Sequence, residues 1–396
     1  MSSGKIKLLV IPSWYPPDGG FFFKEHSEAL AGAGCEADIL VNRIVGLRRL
    51  RRVKKGEWGK FVVRNENGLR VIRSIYYKIP WNEKLNIKRW VKSTLRLFHT
   101  YHKLFGMPDL VLAHSVTWAG LAAAEIHSKY GIPYLVTEHR SFFVQRTEAA
   151  RKMVKSFYIP LFLQAYSGCE KLILVSESMK TGILDLLPGL EAKITVIPNM
   201  INVDYFVFPE KTRKQEPFVF LTAGRLAEVK GLDVLISAFY ILKEKTDRKV
   251  ILKILGRGEM RKELEEQVKG SGLEGQVIFT GRVTRDQVVR EMQDANCYVL
   301  ASRYEAFGVV LIEAMATGLP VIATRSGGPE YIVDESCGYL VVPDNDGELA
   351  EVMLRMISGY DRFNQEEIRR QTLRDYGSEV IAGKYIEVFK DILGEK

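Results

Sequence analysis

Short, almost wholly apolar runs alternate with helix-patterned stretches along the entire sequence, and this alternation restricts the fold more than any other feature. In the first half the runs are 5–11 (KIKLLVI), 36–41, 109–113 (DLVLA), 133–137 (PYLVT), 171–175 (KLILV) and 193–197 (KITVI). Several lack polar alternation, which marks parallel strands buried on both faces. Helical segments near 24–33, 117–129, 151–166 and 177–187 separate them. One stretch departs from this: 59–73 reads as a hairpin turning at Asn67-Gly68. In the second half, strands are predicted at 217–223, 249–255, 276–280, 297–301, 320–323 and 338–342. Helices are predicted near 230–245, 259–269, 284–294, 307–317, 346–357 and 378–393. The order is βαβ twice over, and the irregular, proline-bearing stretch 197–217 reads as a linker.

The chain's 396 residues give a prior of two or three domains. With 46% hydrophobic and 27% charged residues, fibrous and disordered classes are excluded. Net charge is +9, which suggests an acidic partner. The excess is local: residues 43–103 carry 18 basic and 3 acidic side chains. Cys35, Cys169, Cys297 and Cys337 form no CxxC pair, so reduced thiols are expected rather than a zinc site. No apolar run approaches the roughly 18 residues of a membrane span. The opening apolar run, cut by Pro12, is too short for a signal-peptide core and reads as a first strand.

In open parallel sheets, ligands bind beyond the carboxyl ends of the strands. After 217–223 comes GRLAEVKG. There Gly224 permits a sharp turn, and Arg225 and Lys230 bracket the start of a helix, an arrangement suited to a diphosphate. After 297–301, Glu305 precedes a helix that contains Glu313. Eight residues at helical rise separate them by roughly 12 Å, too far for paired glycosidase carboxylates and suited to gripping two ends of an extended ligand. Phe307-Gly308-Val309 lets backbone N–H groups approach it. Gly327-Gly328 is a weaker phosphate-loop candidate, and Gly256 belongs to a lone GxG after 249–255. In the first half, Gly19-Gly20 follows the first strand, His114 ends the strand at 109–113, and Glu138-His139-Arg140 ends the strand at 133–137.

This set of motifs resembles the retaining glycosyltransferases of family 4, which have the GT-B fold. GRLAEVKG, the E-AFGVVLI-E pair, SGGPE, IPSWYPPDGGFFFKEH and LAHSVTWAGLAAA stand in the family's order, and the resemblance covers essentially the whole chain. It implies two Rossmann-like α/β domains facing across a central cleft: an acceptor domain at 1–200, joined by a helix from 378–396 crossing back, and a donor domain at 201–377. It implies transfer of a sugar from a nucleotide-diphosphate sugar, by front-side displacement with retained configuration. Arg225 and Lys230 would hold the diphosphate, Glu305 the donor sugar and Glu313 the ribose. Gly224, Gly256, Phe307, Gly308 and Val309 would lie along the donor, His114 beside the transferred sugar, and Gly19 and Gly20 toward the diphosphate. Glu138, His139 and Arg140 are the acceptor candidates. No metal or other cofactor is expected. The stretch IPNMIN departs from the family, placing Met200 and Asn202 where a Gly and an Asp are more usual.

Residues 84–105 read as an amphipathic helix with Lys84, Lys88, Lys92 and Arg96 on one face and Trp90 among its apolar residues. With the local charge excess, this suggests an anionic membrane surface, a lipid-linked or cell-envelope glycan acceptor, and a peripheral location on the cytoplasmic face. The alternative is an ordinary helix with its apolar side in the core. Rival functions are a nucleotide-sugar epimerase, a phosphorylase, a non-catalytic scaffold and a nucleic-acid binder. No recognisable nucleic-acid-binding motif is present, so no nucleic-acid partner is expected.

Overall fold

The computed structural model describes residues 5–17, 19–46, 59–144, 156–210 and 216–394. The chain forms two compact units. The first comprises the residues up to Val175, Lys180–Pro198 and the segment from Ser378 onward; the second comprises Ser176–Met179 and Asn199–Gly377.

The first unit contains β1 (Lys7–Pro12), α1 (Phe21–Gly32), β2 (Glu36–Val45), β3 (Val62–Glu66), β4 (Leu69–Tyr77), α2 (Glu83–Phe105), β5 (Leu110–His114), α3 (Leu121–Tyr130), β6 (Tyr134–Glu138), α4 (Tyr158–Ser167), β7 (Lys171–Leu174), α5 (Ser178–Leu186) and β8 (Ile194–Val196). Its eight-stranded sheet runs β3-β4-β2-β1-β5-β6-β7-β8. All neighbours are parallel except the β3–β4 hairpin. That hairpin turns at Asn67 and Gly68, whose φ angles of 53° and 84° are the left-handed pair that a two-residue turn between twisted strands requires. β1 and β5 are buried nearly throughout, as wholly apolar central strands must be.

The second unit contains β9 (Phe218–Ala223), α6 (Leu232–Lys245), β10 (Val250–Leu255), α7 (Arg261–Gly270), β11 (Val277–Gly281), α8 (Arg285–Asp294), β12 (Cys297–Leu300), α9 (Val309–Ala316), β13 (Val321–Thr324), β14 (Gly338–Val341), α10 (Asp346–Ser358) and α11 (Gln365–Tyr376). Its parallel sheet has the order β11-β10-β9-β12-β13-β14. This is the doubly wound arrangement, with the direction of strand addition reversing between β9 and β12. The last helix, α12 (Ser378–Leu393), belongs to the first unit and packs on α1.

Two sequence expectations differ from the structure. No helix was expected at α11; its buried residues are only Ile368 and Thr372, too few for a helical stripe to stand out among its charges. Trp90 was expected on a membrane-facing surface, but it is a core residue. Its ring packs edge-on against Trp118 at 5.7 Å, and its indole N–H donates to the Asn42 carbonyl at 2.6 Å. Asn42 returns bonds to the Trp90 carbonyl and the Thr94 hydroxyl, so these polar groups of α2 are satisfied where the helix meets β2. Lys84, Lys88, Lys92 and Arg96 lie on the exposed face of the same helix. Part of the basic cluster, 47–58, and the predicted helix start at 151–155 lie outside the described residues. Among the described residues, no helix is long and apolar enough to cross a membrane.

Candidate active site

Each sheet reverses its winding once near its middle, and each reversal brings two loops together at the carboxyl ends of adjacent strands. In the second unit these are the loops after β9 and β12. Tyr298 of β12 is fully buried and ties them at their base: its hydroxyl accepts from the Ala223 N–H and donates to the Ala223 carbonyl, both at 3.0 Å. Above this point, Lys230 donates to Glu305 at 2.6 Å, with both side chains partly sheltered. Arg225 pairs with Glu259 at 3.1 Å in the open. Each of the two predicted diphosphate cations therefore already faces a carboxylate.

Arg303, which sequence reasoning passed over, braces these loops. Its guanidinium forks onto both oxygens of Asp233 at 3.1 and 2.8 Å and also reaches Asp344 at 2.7 Å. The SGGPE segment acts as scaffold too. Glu305 N–H donates to the Ser326 carbonyl at 2.9 Å, and Gly328 N–H donates to the Glu305 carbonyl at 2.8 Å. A Cβ at Gly328 would lie 2.3 Å from the Phe307 Cα, so only glycine allows the two loops to come this close. Phe307 is buried, Gly308 caps α9, and the half-buried Glu313 lies one turn beyond Val309. Burial first, and then the nearby charges of Glu313 and Glu305, push the Tyr298 phenol well above its ordinary range.

Gly256 closes the neighbouring loop against Gly224, where a Cβ would meet the Gly224 carbonyl at 1.8 Å. These glycines, with Arg225, Arg257, Arg282 and Val283, line an open pocket of about 270 Å³. Arg257 and Arg282 were not singled out from the sequence. The signal available was the lone GxG at the end of the strand that neighbours β9.

In the first unit the reversal lies between β1 and β5, with Pro12 paired to His114 in register. Gly20 enters α1 at φ 76°, where a Cβ would lie 2.7 Å from the Trp14 carbonyl. Gly19 precedes it against the Trp14 ring. His114 is sealed from water, and Phe23 stacks on its ring at 4.5 Å. His139 comes to 3.1 Å from His114 and stays half-buried. Arg140 lies over the rings of Trp14 and Phe142, and its Nε is buried with no partner. Glu138 corrects an expectation, because it does not present its carboxylate to an acceptor. It is fully buried, and its oxygens accept from Val116 N–H, the Tyr166 hydroxyl, His139 N–H and Arg140 N–H at 2.9–3.1 Å. Those four bonds pin the loops that carry His139 and Arg140 and the start of the turn after His114. Lys84, Lys88, Lys92 and Arg96 lie apart on α2. Among the described residues, no three His, Cys, Asp or Glu side chains cluster so as to hold a metal.

Residues 206–377 match the family model of glycosyl transferases group 1, and residues 20–205 match that of glycosyltransferase family 4. This chain belongs to the glycosyl transferases group 1 family. A glycosyltransferase of Methanocaldococcus jannaschii is 31% identical over 68% of this chain and 70% of its own length. Among solved structures, the sucrose-phosphate synthase of Thermosynechococcus elongatus superposes with a TM-score of 0.80 at 20% identity, covering 98% of this chain and 99% of that one. Anabaena HepE, solved in complex with UDP, gives 0.72 at 18% identity, covering 98% and 100%. The fold of this glycosyltransferase is thus GT-B, with two Rossmann-like units.

Proposed function

We propose that this glycosyltransferase moves a sugar from a nucleotide-diphosphate sugar to a hydroxyl acceptor, with retention and by front-side displacement. The observation that carries this reading is the meeting of Lys230 and Glu305 where the second sheet reverses. A cation for the diphosphate and a carboxylate for the sugar hydroxyls stand there as neighbours. Arg225 and Lys230 stabilise negative charge growing on the leaving diphosphate. Glu313 takes the ribose, and the pocket lined by Gly224, Gly256, Arg257 and Arg282 takes the remainder of the nucleotide. The leaving diphosphate accepts the acceptor's proton, so no protein nucleophile and no metal are required.

The acceptor is assigned to the first unit, with His139 and Arg140 as its contacts and the buried His114 behind His139. A lipid-linked or cell-envelope glycan is favoured by the exposed row Lys84, Lys88, Lys92 and Arg96. Lys92 and Arg96 also line a basic groove of about 440 Å³ with His99, Lys129 and Tyr130. Anionic lipid headgroups suit such a face on the cytoplasmic side of a membrane.

A thermal-shift screen of UDP-, GDP- and ADP-sugars tests the donor reading, since a ligand that binds only the folded state raises its Tm. Nucleotide release that requires acceptor and survives EDTA supports a metal-free transferase. Release that needs added divalent metal refutes that part, and sugar epimerisation or phosphorolysis refutes transfer. Flotation with anionic liposomes at low salt tests the location; protein remaining at the bottom of the gradient rejects it.

A further inference from the structure

Three histidines of the first unit stand in a row. His26 of α1 brings Nδ1 to 3.5 Å from His114 Nε2, and His114 Nδ1 lies 3.1 Å from His139 Nε2. Both contacts are nitrogen to nitrogen, so in each one ring supplies an N–H and the other a lone pair. Burial holds the His26 pKa down at about 4 and that of His114 well below its ordinary value, so both are neutral near pH 7. A neutral imidazole has a single N–H. With both contacts made, the protons can run only one way along the row or the other: His26 Nδ1–H toward His114 and His114 Nδ1–H toward His139, or His139 Nε2–H toward His114 and His114 Nε2–H toward His26. The tautomer of His114 is therefore tied to that of His26.

The surroundings hold these rings in place. Phe23 stacks on His114, and Tyr385 of α12 packs edge-on against His26 at 4.4 Å. The Tyr385 hydroxyl is 3.0 Å from the Thr137 hydroxyl, and Thr137 is the register partner of His114. Ser115, directly after His114, has a φ of 69°, a conformation that costs a non-glycine residue energy and persists only where the surrounding structure enforces it. Its N–H donates to the Thr137 carbonyl at 2.8 Å, and the Ser13 hydroxyl donates to the His114 carbonyl at 2.8 Å. Nothing in the proposed transfer chemistry uses His26, yet it is buried, directed at His114 and backed by the last helix.

We propose that His26 is a positioning residue: through its Nδ1 contact it sets which nitrogen of His114 carries the proton, and through His114 it orients His139, with Tyr385 as its backstop. The functional part of this inference rests on the reading that His114 and His139 serve sugar transfer.

The test uses the full chain with 15N-labelled histidine. Two-bond 1H–15N spectra at pH 7.5 read each ring's tautomer. Wild type is expected to show His114 neutral and in one tautomer; a tautomer mixture or a charged His114 overturns the proposal without any variant. In His26→Phe, which keeps the ring but removes the nitrogens, the His114 nitrogen shifts are expected to move toward a tautomer mixture. With the best donor among UDP-, GDP- and ADP-glucose, kcat for nucleotide release should fall at least tenfold and KM change less than threefold. His26→Asn, whose amide lies near the position of Nδ1, should recover most of kcat. Unchanged His114 shifts in His26→Phe, or no recovery in His26→Asn, overturns the proposal. Full activity in His114→Phe would instead refute the placement of His114 at the site, while the tautomer spectra still decide the coupling.

Discussion

The two sheet reversals share a topology and are furnished in opposite ways. In the second unit the strand-end loops carry ion pairs, Lys230–Glu305 and Arg225–Glu259, with side chains that reach water. In the first unit the matching position is filled by His26, Phe23 and His114, which are buried, and the two histidines are neutral. All six histidines of the chain lie between residues 26 and 139, so the second unit has none. The contrast suits the roles proposed for the two ends. Charge placed to meet a diphosphate must be partly exposed and kept paired until the ligand arrives. A ring that directs a hydrogen bond must instead be locked, and neutral rings can be buried without a large desolvation penalty.

The contrast can be broken most forcefully at the charged reversal. Lys230→Ala or Glu305→Gln should lower kcat/KM for nucleotide release by roughly 10²–10³-fold, about 3–4 kcal/mol of transition-state stabilisation, with the fold retained by circular dichroism. Activity near wild type in either variant would remove the site assignment. The backbone scaffold comes next. Gly328→Ala forces a Cβ against Phe307 and should cost about 3 kcal/mol of stability in the second unit, seen as a lower Tm and reduced nucleotide binding.

Between pH 7.5 and 5, where histidines titrate, acid should act on the first unit, which holds all six. His26 has its folded-state pKa depressed to about 4 from an ordinary 6.5, so its neutral form is favoured by folding. Below the ordinary value the unfolded chain binds a proton that the folded chain refuses. Stability is therefore complete above about pH 6.5 and declines as pH falls toward 4. Between pH 7.5 and 5 the loss through His26 is about 2 kcal/mol, readable as a lower urea midpoint and diminished in His26→Phe. A midpoint that does not move over this range would place His26 in contact with water. The smallest effect is expected at Glu259. Its pair with Arg225 is exposed, so Glu259→Gln should leave Tm unchanged and alter nucleotide affinity only a few-fold, with a steeper dependence on salt because Arg225 is then unopposed.

Much of the fold was legible because its signals are local. Unbroken apolar runs such as KLLVI and LVLA belong to strands buried on both faces, and Asn67-Gly68 suits a turn that needs two left-handed residues. The motif residues Arg225, Lys230, Glu305 and Glu313 could be chosen because charged groups directly after apolar strands fall where parallel sheets bind ligands. The direction of Trp90 was not legible: an aromatic residue on a basic helix suits a core as well as a lipid surface, and only the Asn42 and Trp118 contacts decide between them. Nor was the role of Glu138, since nothing nearby in sequence announces that Val116 N–H and the Tyr166 hydroxyl, from distant elements, will join the adjacent His139 and Arg140 N–H groups on its carboxylate.

By itself the sequence determined the two βαβ halves, their strand ends, the charge that accumulates on the first half and the charged residues set after those ends, Arg225, Lys230 and Glu305 among them. All of these depend on patterns within a few residues. The tertiary structure alone decided which side chains meet, because His26, which no sequence pattern marks, lies 88 positions from His114 and Lys230 lies 75 from Glu305, each pair joined where strand order reverses.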